Sequence, residues 1–131
     1  LAGTEVGLFR KKSVPVNSKE EEEEMPEDIF AINYQKEIDK AAAQGNYRLA
    51  VRLMFLRLLK HMSEKNVINY KQDKTNLDYQ MHLYSTRYYH DFFRITRHYE
   101  YSWYGKFEVS SDAYHQISKE VLQFENLLGQ S

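Results

Sequence analysis

The residues of this chain best suited to chemistry are its histidines, at positions 61, 82, 90, 98 and 115. An imidazole titrates near neutral pH, so it can move protons or ligate a metal. Their spacing supports neither role. There is no HExxH pair, and His90 and His98 stand two turns apart on a helical face, too far to share an ion without a third element. Cysteine is absent, which removes disulfides, thiolate metal sites and cysteine nucleophiles together. No glycine-rich phosphate loop and no GxSxG elbow is present, so P-loop and α/β-hydrolase chemistry have no support. The expectation is a chain with no catalytic residue, no metal and no cofactor, and not an enzyme.

A second concentration of reactive side chains is YYHDFFRITRHYEYSWYG, residues 88–105, with eight aromatic rings beside two arginines and two histidines. A platform for single-stranded nucleic acid needs exposed rings beside positive charge, because bases stack on the rings while the backbone is neutralised. On a helical wheel Tyr88, Phe92, Ile95, Tyr99 and Trp103 fall within about 80 degrees of one another, which is the geometry of a core stripe. Tyr89, Phe93 and Tyr104 widen that stripe on one side. His90, Arg94, Arg97, His98 and Tyr101 occupy the opposite arc, so rings and bases are mostly segregated. The stretch reads as a core-facing helix with a basic outer face.

The elements that must position these residues are helical from Pro26 onward. A first helix is expected over about Ile29 to Gln44, with Pro26, Glu27 and Asp28 as start signals and Gly45 as its stop. Asn46 then caps a second helix, about Tyr47 to Lys65, whose apolar residues surround most of its circumference and mark it as central. Its Arg48, Arg52, Arg57 and Lys60 have stems long enough to carry their charges out to solvent. Thr75, with Asp78 three residues on, caps a short third helix carrying Leu77, Met81 and Tyr84 at helical spacing. The aromatic helix follows, from about Thr86 to Tyr104, with Gly105 as its stop. A last helix begins after Ser110 or Ser111, and its Tyr114, Ile117, Val121, Phe124 and Leu128 form an i, i+3, i+4, i+7 stripe. Lys106–Val109 has the composition of a short strand, conceivably paired with Val67–Tyr70.

At 131 residues the chain fits one domain, long enough to bury a core without disulfides or a structural metal. Net charge is −1, which would not by itself draw a polyanion. The total hides an asymmetry. Residues 1–28 hold four Lys or Arg against eight Asp or Glu, whereas residues 29–131 hold fourteen against eleven. An acidic linker, residues 1–28, thus precedes a mildly basic helical domain, residues 29–131. Its run Glu20 to Glu24 is self-repelling and strongly solvated. Arg10, Lys11 and Lys12 permit the reading of a basic cluster following a membrane span on its cytoplasmic side. The longest strongly apolar run, Leu53 to Leu59, is far short of a bilayer span. The start at Leu1, without a signal-peptide apolar region, reads as a fragment of a longer protein.

NYRLAVRLMFLRLLKHMSEKNVINY (46–70), KTNLDY (74–79) and YSWYG (101–105), followed by the last amphipathic helix, resemble a bacterial domain of unknown function. That domain lies at the C-terminus of membrane-anchored proteins, transglutaminase-like ones among them. The resemblance covers about residues 30–128. It implies a small all-helical module after a transmembrane helix, on the cytoplasmic face of the bacterial inner membrane, and it carries no catalytic residues. Transglutaminase chemistry uses Cys, His and Asp and sits upstream in such proteins, so none is assigned to this cysteine-free chain.

The fold expected is therefore all-α, five helices in a bundle-like domain with at most one very short two-stranded ribbon. The function expected is that of a non-catalytic domain mediating protein interaction or assembly. Its partner would be another protein, including other parts of its own membrane-bound parent, with the membrane adjacent through an upstream anchor. The candidate surface is His90, Arg94, Arg97 and His98, together with Arg48 and Arg52. Two alternatives stand beside it. A helix-turn-helix nucleic-acid module would use the third and fourth helices with Lys106–Val109 as a wing. A ligand-binding or enzymatic domain would need a pocket lined by tyrosines, histidines and a carboxylate such as Asp91 or Glu100.

Overall fold

The computed structural model describes residues 9–11 and 28–130. In chain order these form β1 (Phe9–Lys11), α1 (Tyr34–Ala43), α2 (Tyr47–Glu64), α3 (Asn76–His82), α4 (Tyr89–Tyr104), β2 (Phe107–Val109) and α5 (Ser111–Gly129). The all-α expectation holds, with one two-stranded ribbon added.

Four of the five helices start where a short polar side chain accepts an otherwise orphaned backbone N–H. Asn33 does this for α1, Asn46 for α2, Thr75 for α3 and Ser110 for α5. Because Asn33 supplies the cap, α1 begins at Tyr34 rather than near Ile29. The preceding turn is held by Asp28, which accepts from the Phe30 N–H, and by the Tyr34 hydroxyl, which donates to the Ile29 carbonyl at 2.7 Å. The α4 helix has no side-chain cap. Thr86 fixes its entry, accepting from the Tyr88 N–H and donating to the Leu83 carbonyl.

Two left-handed residues close the first helical hairpin. Gly45 has φ +74, Asn46 N–H donates to Ala41 O and Gly45 N–H to Ala42 O, which is a Schellman motif. Asn66, at φ 61, repeats it after α2, with Val67 N–H donating to Met62 O and Asn66 N–H to Ser63 O. Asparagine tolerates this conformation better than other residues with a Cβ.

The central position expected of α2 is what the packing gives: it lies against α1, α4 and α5, while α3 packs on α4. Ala50, Val51, Met54, Phe55, Leu58, Leu59 and Met62 of α2 are all buried. The α4 stripe is buried at Phe92, Ile95, Tyr99 and Trp103, and Tyr88 is half-buried against Phe124. Phe55 joins the two helices, its ring stacked 4.3 Å from Tyr99 and 6.1 Å from Phe92. On α5, Ile117, Val121, Phe124 and Leu128 are buried, and half-buried Tyr114 sits against Tyr47 with ring centroids 5.0 Å apart.

Further expectations need correction. The strand Phe107–Val109 pairs with Phe9–Lys11, antiparallel, in the register Phe9 to Val109, Arg10 to Glu108 and Lys11 to Phe107. Val67–Tyr70 is irregular chain, because the Asn66 turn drops Ile68 into the core. Residues 9–11, within the expected linker, are thus hydrogen-bonded to β2; the rest of the linker up to residue 27 lies outside the described residues. Leu77, Met81 and Tyr84, at helical spacing, form an exposed stripe, since α3 turns Tyr79 inward and the turn after it buries Leu83. Finally, Phe93 and Tyr104 do not widen the core stripe: they are 37% and 63% exposed.

Candidate interaction surface

The candidate basic residues divide into three environments. Arg48 and Arg52 are buried, at 7% and 3% exposure, so they do not belong to a working surface. Their guanidinium carbons lie 3.7 and 4.1 Å from the centroid of the Trp103 ring. Arg48 Nε donates to the Trp103 carbonyl at 3.2 Å, and Arg52 donates to the Tyr99 hydroxyl at 2.8 Å. A guanidinium can stack on an aromatic face and donate in its own plane at once, which suits it to such a site.

Arg94 and His98 turn toward α5. Arg94 bonds Asp91 one turn back at 3.0 Å, and its Nε lies 3.7 Å from a Glu120 oxygen. The same oxygen lies 3.4 Å from His98 Nε2. These groups stitch α4 to α5, with the His98 contact an ion pair only when the imidazole is protonated.

His90 and Arg97 remain exposed. His90 makes an edge contact with Tyr89, and Arg97 lies over the Phe93 ring at 5.7 Å. Among the described residues Arg97 has no carboxylate within ion-pair distance. Of the six residues proposed from sequence, only these two face solvent without anchoring another element.

Beside them lies a surface whose side the helical spacing of α3 left open. Asn76 at the start of α3 donates to Glu100 near the end of α4, while Tyr84 beyond α3 meets Tyr89 at the start of α4 with centroids 5.2 Å apart. The two helices therefore run antiparallel, and Leu77 and Met81 of α3 are exposed. Tyr84, Tyr89 and Phe93 form a continuous row of ring contacts. Leu77, Met81, Tyr84, Phe93 and Tyr104, on these two helices and the turn between them, are all exposed, with Arg97 over the Phe93 ring and His90 against Tyr89. The signal of this surface in the sequence was the competing pair Tyr79 and Leu83, one helical turn apart on the other side of the same short helix.

A tyrosine-lined cleft of about 260 Å³ opens between α2, α3 and α4, with Tyr70, Tyr79, Tyr99, Tyr104 and Glu100 in its walls. Two of its hydroxyls, those of Tyr79 and Tyr99, are engaged in the fold. Tyr79 donates to the Lys71 carbonyl and accepts the Lys71 N–H, and Tyr99 accepts from Arg52. Burial pushes the pKa values of Tyr70, Tyr79 and Tyr99 up, so these hydroxyls stay neutral and none is poised as a base. Among the described residues no group of three or more His, Asp or Glu is arranged to hold a metal ion, and no helix is long and apolar enough to cross a membrane.

Comparison with protein families, curated proteins and solved structures finds no match to this chain.

Proposed function

We propose that this chain is a non-catalytic helical domain that binds a protein partner through the α3–α4 face of Leu77, Met81, Tyr84, Phe93 and Tyr104. The observation that carries this reading is the exposure of five large side chains, four on two adjacent antiparallel helices and Tyr84 in the turn between them. A contiguous apolar patch with a basic edge is costly to leave in water and is the usual composition of an interface centre, where Met, Tyr, Phe and Arg are enriched. Arg97, which has no carboxylate partner among the described residues, selects the chemistry of that partner: an amphipathic segment whose apolar face carries an acidic margin.

The resemblance of about residues 30–128 to a C-terminal domain of membrane-anchored bacterial proteins supports a parent chain tethered at the cytoplasmic face of the inner membrane. In that setting the partner is another protein at the membrane or a further part of the parent. The helix-turn-helix alternative is less well supported, because α3 and α4 contact each other at both ends as a hairpin instead of crossing. The ligand-binding alternative keeps the tyrosine cleft as its one observation.

The test is site-specific photocrosslinking in the membrane-bound parent, with the reactive residue at Met81 and, as a control, at exposed Leu122 on α5. One discrete adduct from position 81, lost in the Arg97→Glu variant, is expected. An adduct unchanged by Arg97→Glu, or no adduct from 81 together with no phenotype on deletion of the domain, overturns the proposal.

A further inference from the structure

A second cavity, of about 360 Å³, lies between α1, α2 and α5 and shares no residue with the α3–α4 face. Its apolar wall includes Met54, Val121 and Leu122, and its charged groups are Arg57, His61, Asp39 and Glu125. That volume sits at the small end of ligand-binding pockets.

The charged groups are unevenly satisfied. Glu125 accepts from His61 Nδ1 with both oxygens at 2.8 Å, which places the ring proton on that nitrogen. Asp39 accepts from the Gln35 amide at 3.0 and 3.1 Å. Arg57, half-buried one turn before His61, is different. Its Nε is fully buried without an acceptor, and no carboxylate among the described residues lies within ion-pair distance of it. The Nε itself is closed off from the cavity, but Arg57 lines it, and the terminal N–H groups of a guanidinium suit a bidentate carboxylate.

The charge balance decides what kind of carboxylate. Arg57 is the permanent cation of this lining and faces the carboxylates of Asp39 and Glu125, so a simple organic acid would bring a third negative charge beside them. A simple amine would suit Asp39 and Glu125, whose oxygens retain free lone pairs, but would leave Arg57 unmatched. A zwitterion satisfies both sides without adding net charge, and the Met54, Val121 and Leu122 wall accommodates an aliphatic side chain. We propose that this cavity binds a free aliphatic α-amino acid, its carboxylate on Arg57, its ammonium toward Asp39 and Glu125, and its side chain on the apolar wall.

The experiment is a titration of the intact chain with L-leucine, followed by NMR shifts of the Met54 methyl and the Ser118 amide. Two comparators each lack one charge, 4-methylpentanoate without the ammonium and 3-methylbutylamine without the carboxylate. Saturable binding of L-leucine at least ten-fold tighter than either comparator is expected, with at least a ten-fold loss in Arg57→Gln. Leu122→Trp, at a position 62% exposed and therefore safe for the fold, obstructs the wall and should abolish binding as well. No saturable response to L-leucine, equal binding of 4-methylpentanoate, or unchanged binding in either variant overturns the proposal.

Discussion

Arg48 of α2 caps the end of α4: its Nε donates to the Trp103 carbonyl at 3.2 Å while its guanidinium carbon lies 3.7 Å from the centroid of the Trp103 ring. The carbonyl belongs to the last turn of α4, where no intrahelical N–H remains to satisfy it, and a cation there also opposes the helix dipole. Arg48→Ala is therefore expected to destabilise the domain by about 1–3 kcal/mol, the cost of a buried acceptor left without its donor. Arg48→Lys should recover little, because one ammonium cannot stack on the indole and donate in its plane together. Urea unfolding followed by the fluorescence of Trp103, the single tryptophan, measures both. A midpoint unchanged in Arg48→Ala would show that the contact contributes nothing.

The same pair marks where sequence reasoning stops. The stripes of α4 and α5 were legible because burial follows 3.6-residue periodicity, and Asn46, Thr75 and Ser110 were legible as caps because their partners are three residues away. Arg48 and Arg52 were not, since their acceptors on Trp103 and Tyr99 come from another helix, 55 and 47 residues later. Nor was the orientation of α3. In seven residues, Leu77 and Met81 make as good a stripe as Tyr79 and Leu83, and only docking on α4 chooses between them. Three-residue strands carry still less information, so the partner of β2 was open until the Asn66 turn had taken Val67–Tyr70 elsewhere.

The orientation of α3 can be tested by stability alone. Met81→Asp places a charge at a position 63% exposed and should change stability by less than about 0.5 kcal/mol. Tyr79→Ala empties a buried ring site and should cost about 3–5 kcal/mol. Thermal melts of the two variants report the difference. A reversed order would mean that α3 buries the Leu77 and Met81 face instead.

Two glycines should differ in their response to alanine. At Gly105 a Cβ would fall 2.2 Å from the Tyr101 carbonyl oxygen, a backbone atom that cannot swing aside. Relief requires the end of α4 to shift, at a cost of about 1–3 kcal/mol or more. At Gly45 a Cβ would meet nothing within 4 Å, so only the left-handed φ of +74 opposes it. That penalty is about 1–2 kcal/mol. Denaturant midpoints should fall in both variants, and the Trp103 emission should move only in Gly105→Ala, where the strained backbone adjoins the indole.

The capping box of α3 should give the domain a local acid sensitivity. The Asp78 carboxylate accepts the Thr75 N–H at 2.8 Å, and the Asp78 N–H donates to Thr75 Oγ1 at 3.1 Å. The backbone bond from Thr75, followed by its side-chain bond, holds the Asp78 carboxyl below its ordinary pKa of 3.8. Because the folded pKa is depressed, the ionised carboxylate favours the folded helix. Its contribution is fully present above the unfolded value and is lost as pH falls through the folded one. Amide hydrogen exchange, corrected for the intrinsic pH dependence of the chemistry, should show α3 opening free energies constant from neutral pH down to about 4, then declining selectively below it. Asp78→Asn, whose amide oxygen still accepts but does not titrate, should remove that decline. A loss of protection already around pH 6, well above the range of a carboxylate with a depressed pKa, would place the sensitivity outside the cap.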